Sequence, residues 1–269
     1  MGSLEEDHKN KNVKNNRAIF VWLIFSICLT CLNARAKQIA IVIDDIGYHQ
    51  RDLELLTLPG QLSYSILPYT PYSQIFASLA SQTNKELLLH IPMQALNGKA
   101  LGPGALTLDM TKKQLQQTLG TALASLPQVK GVNNHMGSAL TQQSEAMKWT
   151  MEVLKKRQLY FLDSKTTSLS QAQNAANFLG VANISRHVFL DNLTSKEQLQ
   201  LRLDELKQKA IDNNFAIAIA HPYPETIAFL RNVLPELIQQ GYELVPVSQL
   251  VEHKYIQLAQ AESKVASAR

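Results

Sequence analysis

The chain has 269 residues, 18% of them charged, with a formal net charge of +4. That length suits one α/β domain with a sizeable core. No basic stripe with interleaved aromatics runs along it, which argues against nucleic acid as a partner.

Residues 1–36 read as a signal peptide. Lys9, Lys11, Lys14 and Arg17 precede an uncharged apolar run of fifteen residues, 18–32. Fifteen is short for a membrane span and suits the apolar core of a secretory signal. Asn33-Ala-Arg-Ala36 then offers small residues at the −3 and −1 positions of a cleavage site after Ala36. The alternative is an uncleaved N-terminal anchor. Either way the domain is exported, and it meets a membrane only through this segment if it stays uncleaved. Both cysteines, Cys28 and Cys31, lie inside the apolar run, so the rest of the chain has no disulfide and no thiolate ligand. The segment carries five basic and three acidic groups, so its removal leaves a net charge of +2.

From Lys37 onward, short apolar strands alternate with amphipathic helices, the pattern of a parallel α/β fold. The first strand, 38–43, runs into Asp44, Asp45 and Gly47. Five apolar residues without alternation predict burial on both faces. A helix over 50–57, a strand over 62–67, a helix over 73–82 and a strand over 86–91 follow. Residues 94–107 form a long loop with three glycines and a proline, either a lip over a cleft or a solvated excursion. Helices are expected over 111–125, 141–157, 170–178, 195–213 and 225–240. The strands between them are 130–134, 159–163, 188–190, 215–220 and 242–247. The domain spans 37–254, and 255–269 reads as a polar tail. Seven or eight strands with helices between them predict an incomplete or distorted barrel.

Chemistry in such folds sits at the C-terminal strand ends. There the sequence places Asp44 and Asp45, His90, Asn133, Asn134 and His135, Asp163, Asp191, and His221. The Asp pair could instead cap a helix, and a single strand histidine is usually structural. Several on one rim, beside carboxylates, suit a metal such as zinc. Asp45, His90 and His135 are the candidate ligands. Asp44 is the candidate base and His221 the candidate acid. Asn134, Asp163, Asp191 and Arg186 are candidates for orienting substrate or catalytic groups. Arg186 would do so by an ion pair to Asp44 or Asp163, or is only a surface residue.

Val42-Ile-Asp-Asp-Ile-Gly47, Leu89-His-Ile-Pro-Met93, Gly131-Val-Asn-Asn-His-Met-Gly-Ser138, Phe161-Leu-Asp-Ser-Lys-Thr166, Arg186–Asp191 and Ala220-His-Pro222 resemble the divergent polysaccharide deacetylase family, the YibQ-like group of exported bacterial proteins. That family is similar to the NodB-type carbohydrate esterases. The resemblance implies a distorted seven-stranded (β/α) barrel, a divalent metal in the form of Zn2+, and hydrolysis of an N-acetyl group on an amino-sugar polysaccharide. It implies a cell-envelope glycan as partner and a periplasmic location. The first motif carries over onto Asp44 as base and Asp45 as ligand, and the last onto His221. The histidine pair one helical turn apart and the Arg-x-Pro-Tyr motif of the NodB pattern are absent. His90 and His135 are therefore assigned from the strand ends alone. The altered ligand set motivates the alternative of a glycan-binding envelope factor with little or no turnover.

Overall fold

The computed structural model describes residues 36–267. The signal-peptide reading falls on residues 1–35, outside the described part, and on Ala36. The chain runs through β1 (Lys37–Ile46), a 3-10 helix (Gln50–Thr57), β2 (Ser63–Ile66), α1 (Ser73–Gln82) and β3 (Glu86–Met93). Next come α2 (Lys112–Ser125), β4 (Gly131–Met136), a 3-10 turn (Leu140–Gln142), α3 (Ser144–Arg157), β5 (Tyr160–Asp163) and α4 (Ala172–Leu179). Then follow β6 (Asn183–Ser185), β7 (Val188–Phe189), α5 (Lys196–Asn213), β8 (Phe215–Ala220), α6 (Pro224–Gln239), β9 (Tyr242–Leu244) and α7 (Val247–Ser267).

β1 is apolar throughout and lies at the centre, with residues Ile39, Ala40, Ile41, Val42 and Ile43 fully buried. The strand order is β6-β5-β4-β3-β2-β1-β8-β7, with β9 added on β1, and the pairings are parallel. The two edges of this curled sheet are joined by one stretch of chain. β6 pairs with β5 and β7 with β8. Between them, Arg186 N–H donates to Asp163 O at 3.0 Å and His187 N–H to Ile217 O at 2.9 Å. One broken strand thus stands where a full barrel would have a ladder. Counted as one, it gives the expected seven positions around an open α/β barrel. β6 was not legible in the sequence, because a lone Ile184 between polar residues carries no period.

Further boundaries differ from expectation. The last strand, expected over 242–247, ends at Leu244, and Val247 opens α7. Gln143 takes an extended backbone between the 3-10 turn and α3, so the helix expected over 141–157 begins later. The polar tail expected over 255–269 continues α7 as far as Ser267. Its Ala, Gln, Glu and Lys residues are strong helix formers.

Side chains of the strands divide by parity. Ile39, Ile41, Ile43, Leu87, Leu89, Phe161 and Ala218 pack with residues of α1–α6. Ala40, Val42, Leu88, Tyr160, Leu162, Ile217 and Ile219 share the opposite, inner face with Val247, Leu250 and Val251 of α7. Below that apolar layer, Ser63 Oγ and Tyr160 Oη donate to Glu86 Oε1 at 2.7 and 3.0 Å. Above it, two residues further along each strand, the same face carries Asp44, His90, Ser164 and His221. The inner face is polar at both ends and apolar between.

Candidate functional site

Tyr64 pairs with Ile43, but beyond them the register shifts so that Ile46 meets Ile66. Asp44 and Asp45 fall in that irregularity, and Asp45 has φ 59°, a left-handed backbone uncommon outside glycine. Such a bulge re-aims a side chain. Strict alternation would point the two carboxylates apart. Here both reach one ring: Asp44 Oδ2 lies 3.6 Å and Asp45 Oδ1 3.0 Å from His90 Nε2. His135 Nδ1 approaches the same Asp45 oxygen at 2.8 Å.

His90 and Asn133 are register partners on β3 and β4, which explains their contact. His90 Nδ1 lies 2.8 Å from Asn133 Oδ1. Asn133 Nδ2 donates to Asp44 Oδ1 at 2.8 Å and to Ser164 Oγ at 3.4 Å. With its amide nitrogen facing a carboxylate, the Asn133 oxygen must face the ring, so His90 Nδ1 carries a hydrogen and the neutral ring keeps its lone pair on Nε2. Ser65 Oγ also donates to Asn133 Oδ1. One fully buried amide thus fixes both the tautomer of His90 and the aim of Asp44.

Burial raises the Asp44 pKa above the ordinary carboxylate value, and nearby His90 and His221 temper the rise. Burial also opposes ionisation of Asp45, but His135 and His90 outweigh it and hold that carboxyl well below the usual range. Asp45 Oδ1 is buried, yet neither imidazole N–H is aligned to hydrogen-bond to it. The donor atoms of Asp45, His90 and His135 all lie within 4.8 Å of one another. Two imidazole nitrogens and an ionised oxygen converging on one point fit a divalent cation.

His221 ends β8. Its Nδ1 lies 2.8 Å from Asp191 Oδ1, and its backbone N–H donates to Asp191 Oδ2 at 2.6 Å. Thr226 Oγ1 donates to the same Oδ2 at 3.0 Å. Burial opposes a charged ring, but Asp191 prevails, helped by Asp45 and Asp44, and the His221 pKa is raised to about 9. The ring is therefore cationic at neutral pH, with Nδ1 committed and Nε2 available to donate.

The remaining sequence-predicted residues are not gathered here. Asp163 accepts from Lys165 N–H and Ser170 Oγ, both at 2.8 Å, and so staples its own loop. Arg186 makes no ion pair with Asp44 or Asp163. It donates to the carbonyls of Ser164 and Lys165 at 2.7 and 3.0 Å and stacks 3.7 Å over Phe189. The crossing from β6 to β7 carries its backbone past the loop after β5, where it meets carbonyls rather than carboxylates. Asn134 accepts from Ser164 N–H at 3.0 Å and donates to Met136 O at 2.6 Å, joining the loops after β4 and β5. Asn133, assigned no role from sequence, makes the contacts to the centre instead. Strand parity was the signal that could have found it, since Asn133 shares the phase of His135 and Asn134 does not.

The divergent polysaccharide deacetylase model matches residues 41–251. An uncharacterised protein of Haemophilus influenzae is 36% identical over 234 residues, covering 85% of this chain and 83% of that one. The uncharacterised protein YibQ of Escherichia coli is 34% identical over 203 residues, covering 75% of this chain and 64% of that one. Among solved structures, an uncharacterised protein from Agrobacterium tumefaciens superposes with a TM-score of 0.77 at 26% identity, covering 81% of this chain and 90% of that one. A putative cellobiose-phosphate cleavage protein of Enterococcus faecalis shares the fold, with a TM-score of 0.59 at 14% identity and coverage of 80% and 99%. The match over most of β1 to α7, with a relative above 30% identity of which the chain spans 83%, establishes that this chain belongs to the divergent polysaccharide deacetylase family.

Proposed function

We propose that the chain is an exported hydrolase that removes N-acetyl groups from an amino-sugar polysaccharide of the cell envelope with the help of one zinc ion. The observation that carries this reading is the convergence of Asp45, His90 and His135 beside a buried, proton-seeking Asp44. Family membership supports the substrate class. Export to the periplasm rests on the basic and apolar pattern of residues 1–36.

Asp45 Oδ1, His90 Nε2 and His135 Nδ1 would hold the ion. A divalent ion there supplies Lewis acidity toward an acetyl carbonyl and makes water easier to deprotonate. Asp44, held by Asn133 at one oxygen, presents the other to take the proton of the attacking water; its raised pKa makes it a stronger base than an ordinary carboxylate. Oxygen–carbon bond formation is followed by cleavage of the carbon–nitrogen bond. His221 gives its Nε2 proton to the departing nitrogen, and Asp191 stabilises the cationic ring until that moment. The products are acetate and a free amino sugar.

The test is acetate release from N-acetylglucosamine oligomers by the zinc-loaded chain. Release that disappears in Asp44→Asn supports the hydrolase. Absence of release, with oligomer binding that survives both Asp44→Asn and chelator, would replace it with the glycan-binding envelope factor.

A further inference from the structure

We propose that a groove running from Tyr69 along the first turns of α2 is a second sugar subsite, which holds a neutral N-acetylated hexosamine unit of the glycan away from the reacting one. The identity of the ligand rests on the deacetylase reading, whereas the groove itself is a matter of geometry. It encloses about 540 Å³ and is lined by Tyr69, Thr107, Asp109, Gln114, Gln117 and Thr118, among others. That volume falls in the range of small-ligand sites.

The groove is mechanically joined to the centre. β2 lies between β1, which carries Asp44 and Asp45, and β3, which carries His90. The loop after β2 is latched to the loop after β1. Leu67 N–H donates to Ile46 O at 3.0 Å, and Tyr72 N–H to Gly47 O at 2.8 Å. Gly47 itself has φ +120°, and a Cβ there would fall 2.1 Å from Thr70 Oγ1. The long loop over 94–107, whose last residue Thr107 lines the groove, is closed at its base against β3. Gln94 N–H donates to Leu106 O at 2.9 Å and Leu106 N–H to Pro92 O at 2.8 Å.

Tyr69 is held in an unusual way. Its φ of 61° is left-handed, a genuine outlier for a bulky residue. Its ring lies over Gly104, where a Cβ would come within 2.9 Å of Cε2. The side chain is nonetheless 45% exposed. Strained residues that display a side chain cluster at ligand sites. An aromatic face set among amides and hydroxyls matches a pyranose, which has an apolar C–H face and a polar edge. The lining includes the carboxylate of Asp109 and no basic side chain, which favours a neutral sugar over an anionic one.

The test is calorimetric titration of the full chain with the dimer and the tetramer of β-1,4-linked N-acetylglucosamine, in an Asp44→Asn background so that nothing is turned over. The tetramer is expected to bind on the order of tenfold more tightly than the dimer. Tyr69→Asn keeps a residue that tolerates left-handed backbone and removes the ring, so it should abolish that advantage; Tyr69→Phe should preserve it. Gln117→Ala, an exposed change on α2, should weaken the tetramer several-fold and keeps the test decisive should Tyr69→Asn fail to fold. Equal affinities for dimer and tetramer, no binding of either, or an unchanged advantage in Tyr69→Asn and Gln117→Ala overturns the subsite. The two readings fail separately. Tetramer binding through Tyr69 without acetate release by the zinc-loaded parent keeps the subsite and sinks the hydrolase. Acetate release with no length preference does the reverse.

Discussion

Replacing Asp191 by Asn tests how the fold makes an acid of His221. The raised value of about 9, against roughly 6.5 for an unperturbed imidazole, corresponds to about 3 kcal/mol of preferential interaction with the charged ring. Asp191 contributes most of the favourable part, because it lies 2.8 Å from Nδ1. Burial opposes charge, so Asp191→Asn should bring the pKa to roughly 6.5 or below. At pH 7.5 the fraction of charged rings then falls from nearly all to about one in ten. A ring-edited NMR titration reads this directly, and the alkaline limb of acetate release should move down by the same interval. Stability follows with a definite sign. A histidine whose pKa is raised on folding stabilises fully below its unfolded value and loses that stabilisation as pH rises through its folded value. The parent should therefore lose stability between about pH 6.5 and 9, and Asp191→Asn should lose much of that slope. A ring that titrates in Asp191→Asn where it does in the parent would refute this account.

Other consequences can be measured on the same protein. His90→Ala and His135→Ala should each abolish binding of about one zinc per chain, measured by elemental analysis; full zinc content in either variant removes that residue from the ligand set. Asn133→Ala strips partners from His90, Asp44 and Ser65 in a buried setting, so it should cost about 3 kcal/mol by denaturant unfolding. A loss below about 0.5 kcal/mol would show that the amide is dispensable. Leu88→Ala opens a cavity in the inner apolar layer and should destabilise by about 2–5 kcal/mol. Arg186→Ala should lower the melting temperature while leaving zinc content unchanged, because the guanidinium holds the carbonyls of Ser164 and Lys165; loss of zinc would contradict that role.

The sequence by itself determined the sheet and the rim. β1 and β8 could be read because unbroken apolar runs fit a strand buried on both faces. The rim residues could be read because a parallel strand delivers the residue after its apolar run to the same edge as its neighbours. Asp45, His90 and His135 come to one place for that reason. Tertiary structure decided what local pattern does not encode. The β1–β2 register shift turned two adjacent carboxylates onto one imidazole, although alternation would have separated them. Pairing of His90 with Asn133 set one amide between the ring and Asp44. The crossing from β6 to β7 set Arg186 against carbonyls rather than carboxylates. Each depends on which strand lies beside which and at what register, and those are contacts between residues far apart in the chain.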